Sequence, residues 1–492
     1  MLIFFRKEQN VSSISIAYRI KGEKMKKFNV NKNLMYVLFG IIYFIIGFMQ
    51  QFMVNGIRLT ATIGLIASIV FILFLLIKKE EKLVIRFPKG NVKELVLFIL
   101  FSVIALISFI GLFVDSFTML SILGIASFIM GTFLTVFGLV CYFRSGKSIA
   151  LKIVLPIASI LPFLLCGFIS LTTISPKSTI SLFATAIMGS PANNVTDAVQ
   201  KESTLEDGTK LLSDVKYDDV IPNGYLDIYY TNEHKFAKAP TFVSIHGGGY
   251  VWGDKVIGDP NMVKSGPTDI ITTNFLKQGY NVVQMNYALA PEYQFPYSIK
   301  QLNRGLKFLV DNGASYNLDM SNVVLGGGSA GGNLVGLLAN IQTNPEYASI
   351  VEESPSINPE NIKAIYFFAA LFDNYRFGVT GDITVDWMFT QLGRLYLNTN
   401  EIKTDPKIRK TNVIEYVTDK FPASFISDGN SGTFYDQGFE MYNKLRSLGV
   451  DSEMCYFPPQ EGKLTHGHEG ADTEFSKIVY QRLFEFLSSR VL

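Results

Sequence analysis

Five long apolar stretches near the start of the chain constrain its folding more than any other feature. They run over residues 34–54, 60–77, 95–114, 117–143 and 149–171, each close to the ~20 residues a helix needs to cross a bilayer. Hydrophobic residues make up 48% of the 492 and charged residues only 17%, with 40 Phe, an apolar excess concentrated in these runs. Short links with charges, Gly or Pro separate them, a pattern hard to reconcile with helices buried in a soluble core. The first run is too long for a cleavable signal peptide, and further runs follow it. The expectation is an all-α membrane domain of about five transmembrane helices over 34–174, after a basic segment, 1–33.

The links also carry a direction. Arg6, Lys7, Arg19, Lys21, Lys24, Lys26, Lys27 and Lys32 precede the first run, and Lys78, Lys79, Lys82, Arg86, Lys89 and Lys93 separate the second from the third. Arg144 and Lys147 separate the fourth from the fifth, whereas the other two links hold only Arg58 and Asp115. Basic residues therefore mark alternate loops. By the positive-inside rule this places the N-terminus in the cytoplasm and everything after Leu171 outside. Met25 opens "MKKFNVNKN" and offers a second possible start. The net charge is +2 and no basic block is interleaved with aromatics, which argues against a nucleic-acid partner. Cys141 and Cys166 lie in apolar runs and Cys455 far away, so neither a disulfide framework nor a cysteine-rich zinc site is available.

From about Ser175 the composition changes. Residues 175–210 read as a linker or cap with one short apolar helix, Ile180–Met188. From Leu211 short β-like runs such as "YLDIYY", "TFVSIHGGG", "NVVQMNYAL", "NVVLGGG" and "ASFISDGN" alternate with helical patterns at Tyr297–Asn312, Gly332–Gln342, Thr433–Leu448 and Phe475–Ser488. Such alternation implies a mainly parallel sheet with helices on both faces, one α/β domain over 211–492.

The stretch "SNVVLGGGSAGGNLVGLLAN", Ser321 to Asn340, fits two glycine motifs. Gly326, Gly328 and Gly331 match G-x-G-x-x-G, a dinucleotide-binding turn; Gly327, Ser329 and Gly331 match G-x-S-x-G, a turn that presents a nucleophilic serine. The dinucleotide fold places its turn after the first strand, with an acidic residue about 20 positions on at the end of the second. Several strand-like runs precede this turn, and "NPEYASIVEESPS" after it is polar and loop-like. The serine reading instead needs an oxyanion hole upstream and an acid and a histidine downstream. Upstream stands "HGGGYVWGDK" from His246, where glycines let backbone N–H groups approach a developing oxyanion.

Together "HGGGYVWGDK", "YALAPEYQFP" and "GGSAGGNL" resemble the bacterial hormone-sensitive-lipase-like esterases of the α/β-hydrolase fold. The resemblance covers roughly Asp214 to the C-terminus and leaves out the apolar runs, an unusual addition for that family. It implies Ser329 as nucleophile, an oxyanion hole from the N–H groups of Gly248, Gly249 and Ala330, and His246 as the residue that orients the glycine loop. Two departures stand out. Family members carry an acidic residue just before the nucleophile, where this chain has Gly328. The acid expected past the penultimate strand would fall on Ser431 or Gly432, and neither is acidic.

Four histidines narrow the base. His234 reads as a surface residue, and His246 belongs to the glycine loop. His466 and His468 remain in "EGKLTHGHEGAD", and His466 matches the catalytic position of the family's H-G-F pattern. For the acid, Asp428 at a strand end and Asp436 in the first turn of a helix both stay open. Asp428 is preferred because a strand-end loop points at the catalytic face.

The function these readings imply is a serine carboxylic-ester hydrolase, of short-chain acyl ester or deacetylase type, anchored in the cell membrane with its catalytic domain outside. Its substrates would be small acyl esters or acylated envelope material, its other partner the lipid bilayer, and it would need no metal or organic cofactor. An acyltransferase acting on envelope carbohydrate or lipid is one rival, although no run holds a buried Asp, Glu, His or Arg suggestive of an intramembrane site. A non-catalytic receptor or scaffold on the same fold is the other. The oligomeric state is not legible.

Overall fold

The structure, a computed structural model, describes residues 3–7, 13–18, 26–52, 57–78, 84–85, 92–111, 117–145, 148–183, 194–255 and 270–491. The chain divides into two compact units, Met1–Pro176 and Lys177–Leu492.

In the first unit helices form at all five apolar runs: α1 (Lys32–Phe52), α2 (Ile57–Leu76), α3 (Val92–Gly111), α4 (Phe117–Ser145) and α5 (Ile149–Ile174). Three of them, over Asn33–Phe52, Ser121–Arg144 and Ile149–Ile174, are long and apolar enough to cross a membrane. Of the five such helices expected, these three meet that length and hydropathy among the described residues, and α2 and α3 are helices of 20 residues each.

Glycines let α1 and α4 pack closely and antiparallel. A Cβ at Gly40 or Gly47 would lie 2.9 Å from the carbonyl oxygen of Gly131 or Gly124, and one at Gly138 2.7 Å from the Val37 nitrogen. Small residues at such contacts allow two backbones to meet without side chains between them. Polar groups turn inward: Tyr43 shares a hydrogen bond with Ser68 (2.7 Å), Ser127 donates to Gln50 Oε1 (2.8 Å), and Gln51 Nε2 donates to Ser170 (2.9 Å). Leu38, Ile45, Leu106, Ile129 and Leu161 face outward. The bundle thus has an apolar outer surface and an apolar interior built on Phe39, Phe71, Phe101 and Leu134, with a few hydrogen-bonded polar groups inside.

The second unit is built on a nine-stranded sheet. Its strands are β1 (Lys201–Thr204), β2 (Lys210–Lys216), β3 (Tyr225–Tyr230), β4 (Pro240–Ile245), β5 (Asn281–Met285), β6 (Asp319–Gly328), β7 (Ile362–Phe368), β8 (Ser424–Ser427) and β9 (Ser452–Cys455). Their order is β9-β8-β7-β6-β4-β5-β3-β2-β1; β4 to β9 run parallel and β1 to β3 antiparallel. β1 and the first residue of β2 fall in the 175–210 segment read from sequence as a linker, which therefore supplies the sheet's edge. The short helix expected over Ile180–Met188 forms at Pro176–Phe183, and residues 184–193 lie outside the described residues.

Both faces of the parallel strands are covered, and alternate residues divide between two cores. Val243, Ile245, Leu325, Ile365 and Phe367 enter one core, and Phe242, Val282, Val324, Tyr366 and Phe425 the other. Two-residue periodicity dictates this split, and burial on both sides explains why the strands read as nearly continuous apolar runs. The covering helices include α6 (Ile270–Lys277), α7 (Tyr297–Asn312), α8 (Ala330–Thr343), α9 (Ile383–Leu397), α10 (Tyr435–Ser447) and α11 (Glu474–Ser488).

Strand order fixes where a site can form. From β4 the chain moves to β5 on one side, then returns so that β6 lies on the other. The carboxyl ends of β4 and β6 therefore border a crevice from which the following segments diverge, the usual ligand position in open α/β sheets. The glycine loop follows β4 and Ser329 follows β6.

Candidate active site

Ser329 is the single residue between β6 and α8, with φ 55° and ψ −123°. A serine in this left-handed region stores strain of order 1–3 kcal/mol, which the surroundings must offset. Its N–H donates to the Phe368 carbonyl (3.1 Å), and its own carbonyl accepts from Asn333 (3.2 Å) and Leu371 (3.3 Å). The neighbouring glycines answer to close backbone approach. A Cβ at Gly327 would stand 2.6 Å from the Gly331 carbonyl, and one at Gly331 would stand 2.2 Å from the Ile245 carbonyl oxygen. Gly328, where the family pattern has an acidic residue, has a packing reason: a Cβ there would lie 2.0 Å from the Phe368 ring.

The glycine loop lies directly against this turn. A Cβ on Gly247 would come within 3.1 Å of the Gly328 carbonyl oxygen and 3.3 Å of Ser329 Cβ. Gly248 and Gly249 have φ of 94° and 59°, and a Cβ on Gly248 would meet the Trp252 carbonyl oxygen at 2.0 Å. Among the described residues the N–H groups of Gly248, Gly249 and Ala330 donate no hydrogen bond. The last of these belongs to the first turn of a helix, where N–H groups lack internal partners.

His246 lies behind the loop, as a residue that orients it would. Its Nδ1–H donates to the Gly247 carbonyl (2.8 Å), and its ring stacks on Tyr287 at 4.4 Å. The Tyr287 hydroxyl lies within hydrogen-bond distance of the carbonyls of His246 (3.2 Å) and Gly247 (3.1 Å). Burial pushes the His246 imidazole below its usual range, so it stays neutral. Further along the motif, buried Lys255 pairs with Asp214 (2.9 Å) and Asp227 (3.3 Å), tying the loop's exit to β2 and β3.

His466 and Asp428 meet at the same sheet edge, but through an intermediary. Gly328, Phe368 and Ser427 end three adjacent parallel strands in register, so Ser329 and Asp428 leave the sheet on the same side. Asp428 is buried; it accepts from Gly429 N–H (2.7 Å), Phe434 N–H (3.2 Å) and the Thr433 hydroxyl (2.5 Å). His466 Nδ1 is 3.0 Å from the Thr433 oxygen. Among the described residues no hydrogen bond joins Asp428 to His466, or His466 to Ser329. Burial, reinforced by the negative charge of Glu469, pushes the Asp428 carboxyl well above the usual range, against the three donors. Burial alone pushes the His466 imidazole down to about 4.

Asp436 lies elsewhere: half-exposed in the first turn of α10, it pairs with Arg376 at 3.4 Å. His468 is buried, with Nε2 3.6 Å from Glu469 Oε1 and its ring centre 6.3 Å from that of Phe457. His234 is exposed.

Three features of this edge went unread in the sequence. Thr433 carries no motif signal in the sequence. Asn430 staples the acid loop to the histidine loop: its Nδ2 donates to the carbonyls of Phe457 (3.0 Å) and Gly462 (2.7 Å), and its Oδ1 accepts from Leu464 N–H (3.0 Å). Gly429 allows the approach, since a Cβ there would lie 2.5 Å from the Leu464 carbonyl oxygen. The signal was available in "DGNSG", a turn-forming run too rich in Gly and Asn to be a plain strand end. Above the edge, α9 places Leu392 on Gly249, Val385 near Gly432, and Phe389 with its ring centre 5.4 Å from that of His466. Among the described residues no group of three or more His, Cys, Asp or Glu is placed to hold a metal ion.

Comparison with known proteins bears on the fold that carries this site. Residues 226–445 match the BD-FAE family. A protein of Acanthamoeba polyphaga mimivirus named as an alpha/beta hydrolase is 24% identical over 219 residues, 44% of this chain and 58% of that protein. An esterase of Gibberella moniliformis is 22% identical over 216 residues, 44% of this chain and 64% of its own length. The chain thus spans less than two thirds of either relative. Among solved structures, esterase B from Lactobacillus rhamnosis covers 58% of this chain and 87% of that one, at 20% identity and a TM-score of 0.47. The sheet order, the strained serine turn at its switch point and the sequence matches make residues 177–492 an α/β-hydrolase domain similar to esterases.

Proposed function

We propose that the chain is a membrane-anchored serine carboxylic-ester hydrolase acting on small acyl esters, with Ser329 as nucleophile, His466 as base and Asp428 as the supporting acid. The observation that carries this reading is the strained Ser329 turn with the Gly247 backbone packed against it, and the N–H groups of Gly248, Gly249 and Ala330, which donate no hydrogen bond among the described residues. In the reaction Ser329 Oγ attacks the ester carbonyl while His466 Nε2 takes its proton. The carbonyl oxygen becomes negative and is met by the N–H groups of Gly248, Gly249 and Ala330, each worth ~3–4 kcal/mol to the transition state. His466 returns the proton to the leaving alcohol; water then resolves the acyl-enzyme with the same base. Asp428 is preferred to Asp436 because it reaches His466 through Thr433, whereas Asp436 is held by Arg376.

Membrane anchoring is supported by three helices of spanning length and by a bundle whose outer surface is apolar. An odd number of crossings carries the hydrolase domain to the face opposite the basic N-terminus; with all five helices crossing, the Lys78–Lys93 link shares the N-terminal side, which puts the domain outside the cytoplasm by the positive-inside rule.

The test is turnover of p-nitrophenyl acetate by the detergent-solubilised full chain, with Ser329→Ala and Asp436→Asn alongside. Ser329→Ala is expected to abolish turnover and Asp436→Asn to leave it within about twofold. Turnover that survives Ser329→Ala, or a wild-type chain inert towards a range of short acyl esters, would refute the assignment and leave a scaffold role.

A further inference from the structure

The link between acid and base contains a residue that no direct triad needs. Thr433 is 1% exposed and lies between Asp428 and His466, 2.5 Å from Asp428 Oδ1 and 3.0 Å from His466 Nδ1. A hydroxyl has one hydrogen and two lone pairs. Its hydrogen is committed to Asp428, whose oxygens also hold the Gly429 and Phe434 N–H groups. Thr433 Oγ1 can then only accept from the imidazole. His466 Nδ1 must therefore carry the proton, which leaves the Nε2 lone pair free. Phe389 and Phe434 hold the ring plane, each edge-on with centres 5.4 Å from that of His466.

We infer that Thr433 is a positioning residue: its hydroxyl relays the hold of Asp428 to His466 and so selects the imidazole tautomer able to act as base. This rests on the hydrolase reading proposed above. During attack the Ser329 Oγ proton moves to His466 Nε2 as the Oγ–carbon bond forms, and the carbonyl π pair moves to oxygen. The imidazolium keeps its Nδ1 proton, donated to Thr433 Oγ1, and Thr433 keeps its own, donated to Asp428. No proton travels along the relay. A hydroxyl here does what a direct carboxylate does in an ordinary triad, which is to fix the tautomer and stabilise the imidazolium. It also explains how the chain keeps a base although Ser431 and Gly432, the positions expected to be acidic, are not.

The alternative is that Thr433 only braces the Asp428 turn. Thr433→Val keeps the shape and removes both hydrogen bonds, and Thr433→Ser restores the hydroxyl. In the detergent-solubilised full chain Thr433→Val is expected to lower kcat by about 100-fold or more with KM within about twofold, since a positioned base is worth 10²–10⁴. Thr433→Ser should recover kcat to within about tenfold of wild type. Histidine-selective 15N NMR, with His466→Asn to assign the signal among four histidines, should show wild-type His466 protonated at Nδ1 and Thr433→Val shifted towards the other tautomer. Wild-type kcat and an unchanged tautomer in Thr433→Val, with Ser329→Ala still inactive, would overturn the relay while sparing the hydrolase. The wild-type spectrum decides independently of turnover and of any variant's folding: His466 unprotonated at Nδ1 sinks the proposal even in an active enzyme.

Discussion

Gly328→Ala tests most directly why this nucleophile turn departs from the acidic residue of the family pattern. The added Cβ would lie 2.0, 2.4 and 2.9 Å from Cε2, Cδ2 and Cζ of Phe368. Ordinary contact begins near 3.4 Å, so the ring must retreat by more than 1 Å or the strand end must shift. Neither is free, because the Phe368 carbonyl accepts the Ser329 N–H at 3.1 Å and so helps hold the strained turn. Overpacking of this kind costs about 1–3 kcal/mol. For a domain this large that is a fall in Tm of several degrees. Displacing the nucleophile by about 1 Å should lower kcat by up to about 100-fold. If the ring is the cause, Phe368→Ala should remove most of the penalty, so that Gly328→Ala costs under about 0.5 kcal/mol in that background, a coupling above about 1 kcal/mol. The assay is thermal unfolding of the solubilised chain, followed by circular dichroism, with ester turnover measured on the same four proteins. A neutral Gly328→Ala, or one equally costly with and without the Phe368 ring, would refute the packing argument.

Other perturbations read different parts of the molecule. Gly248→Ala should abolish turnover and cost about 2 kcal/mol or more, because its φ of 94° disfavours a side chain and the Cβ would meet the Trp252 carbonyl at 2.0 Å; activity near wild type would remove Gly248 from the oxyanion hole. Gly131→Leu should separate α1 from α4, since even a Cβ there would lie 2.9 Å from the Gly40 carbonyl oxygen; unchanged thermal stability in detergent would contradict that packing. His466 makes stability depend on pH. Its folded-state value, held near 4 by burial, lies below the ~6.5 of an unfolded imidazole, so its contribution is complete above about pH 6.5 and is lost as pH falls towards 4. That loss is about 3 kcal/mol. Denaturant unfolding at pH 7.5 and 4.5 should show wild type losing correspondingly more than His466→Gln. Asp428, pushed upward by burial, acts in the opposite sense but is common to both proteins. Equal pH sensitivity would refute the burial argument.

Much of the hydrolase domain was legible because its signals are local. Strand and helix patterns depend on residues two to four positions apart, and "LGGGSAGG" reports backbone crowding at one turn. The strands that flank the site formed where "TFVSIHGGG" and "NVVLGGG" lie. Span counting was less secure, since five apolar runs became helices but only three meet spanning length and hydropathy among the described residues. The start of the sheet was less legible, because β1 at its edge and β2 beside it are polar strands with only a weak apolar alternation.

The sequence by itself determined the parts that chain-local chemistry controls: apolar helices early, an α/β domain late, a serine on a turn that only glycines permit, and a histidine among few alternatives. Tertiary structure alone decided how Asp428 comes to lie near His466. Asp428, Thr433 and His466 are brought together by the register of β7 and β8, by Gly429 yielding space to the Leu464 carbonyl, and by Asn430 binding the two loops. A hydroxyl's role there depends on which neighbour takes its one hydrogen, and residues distant in sequence make that choice.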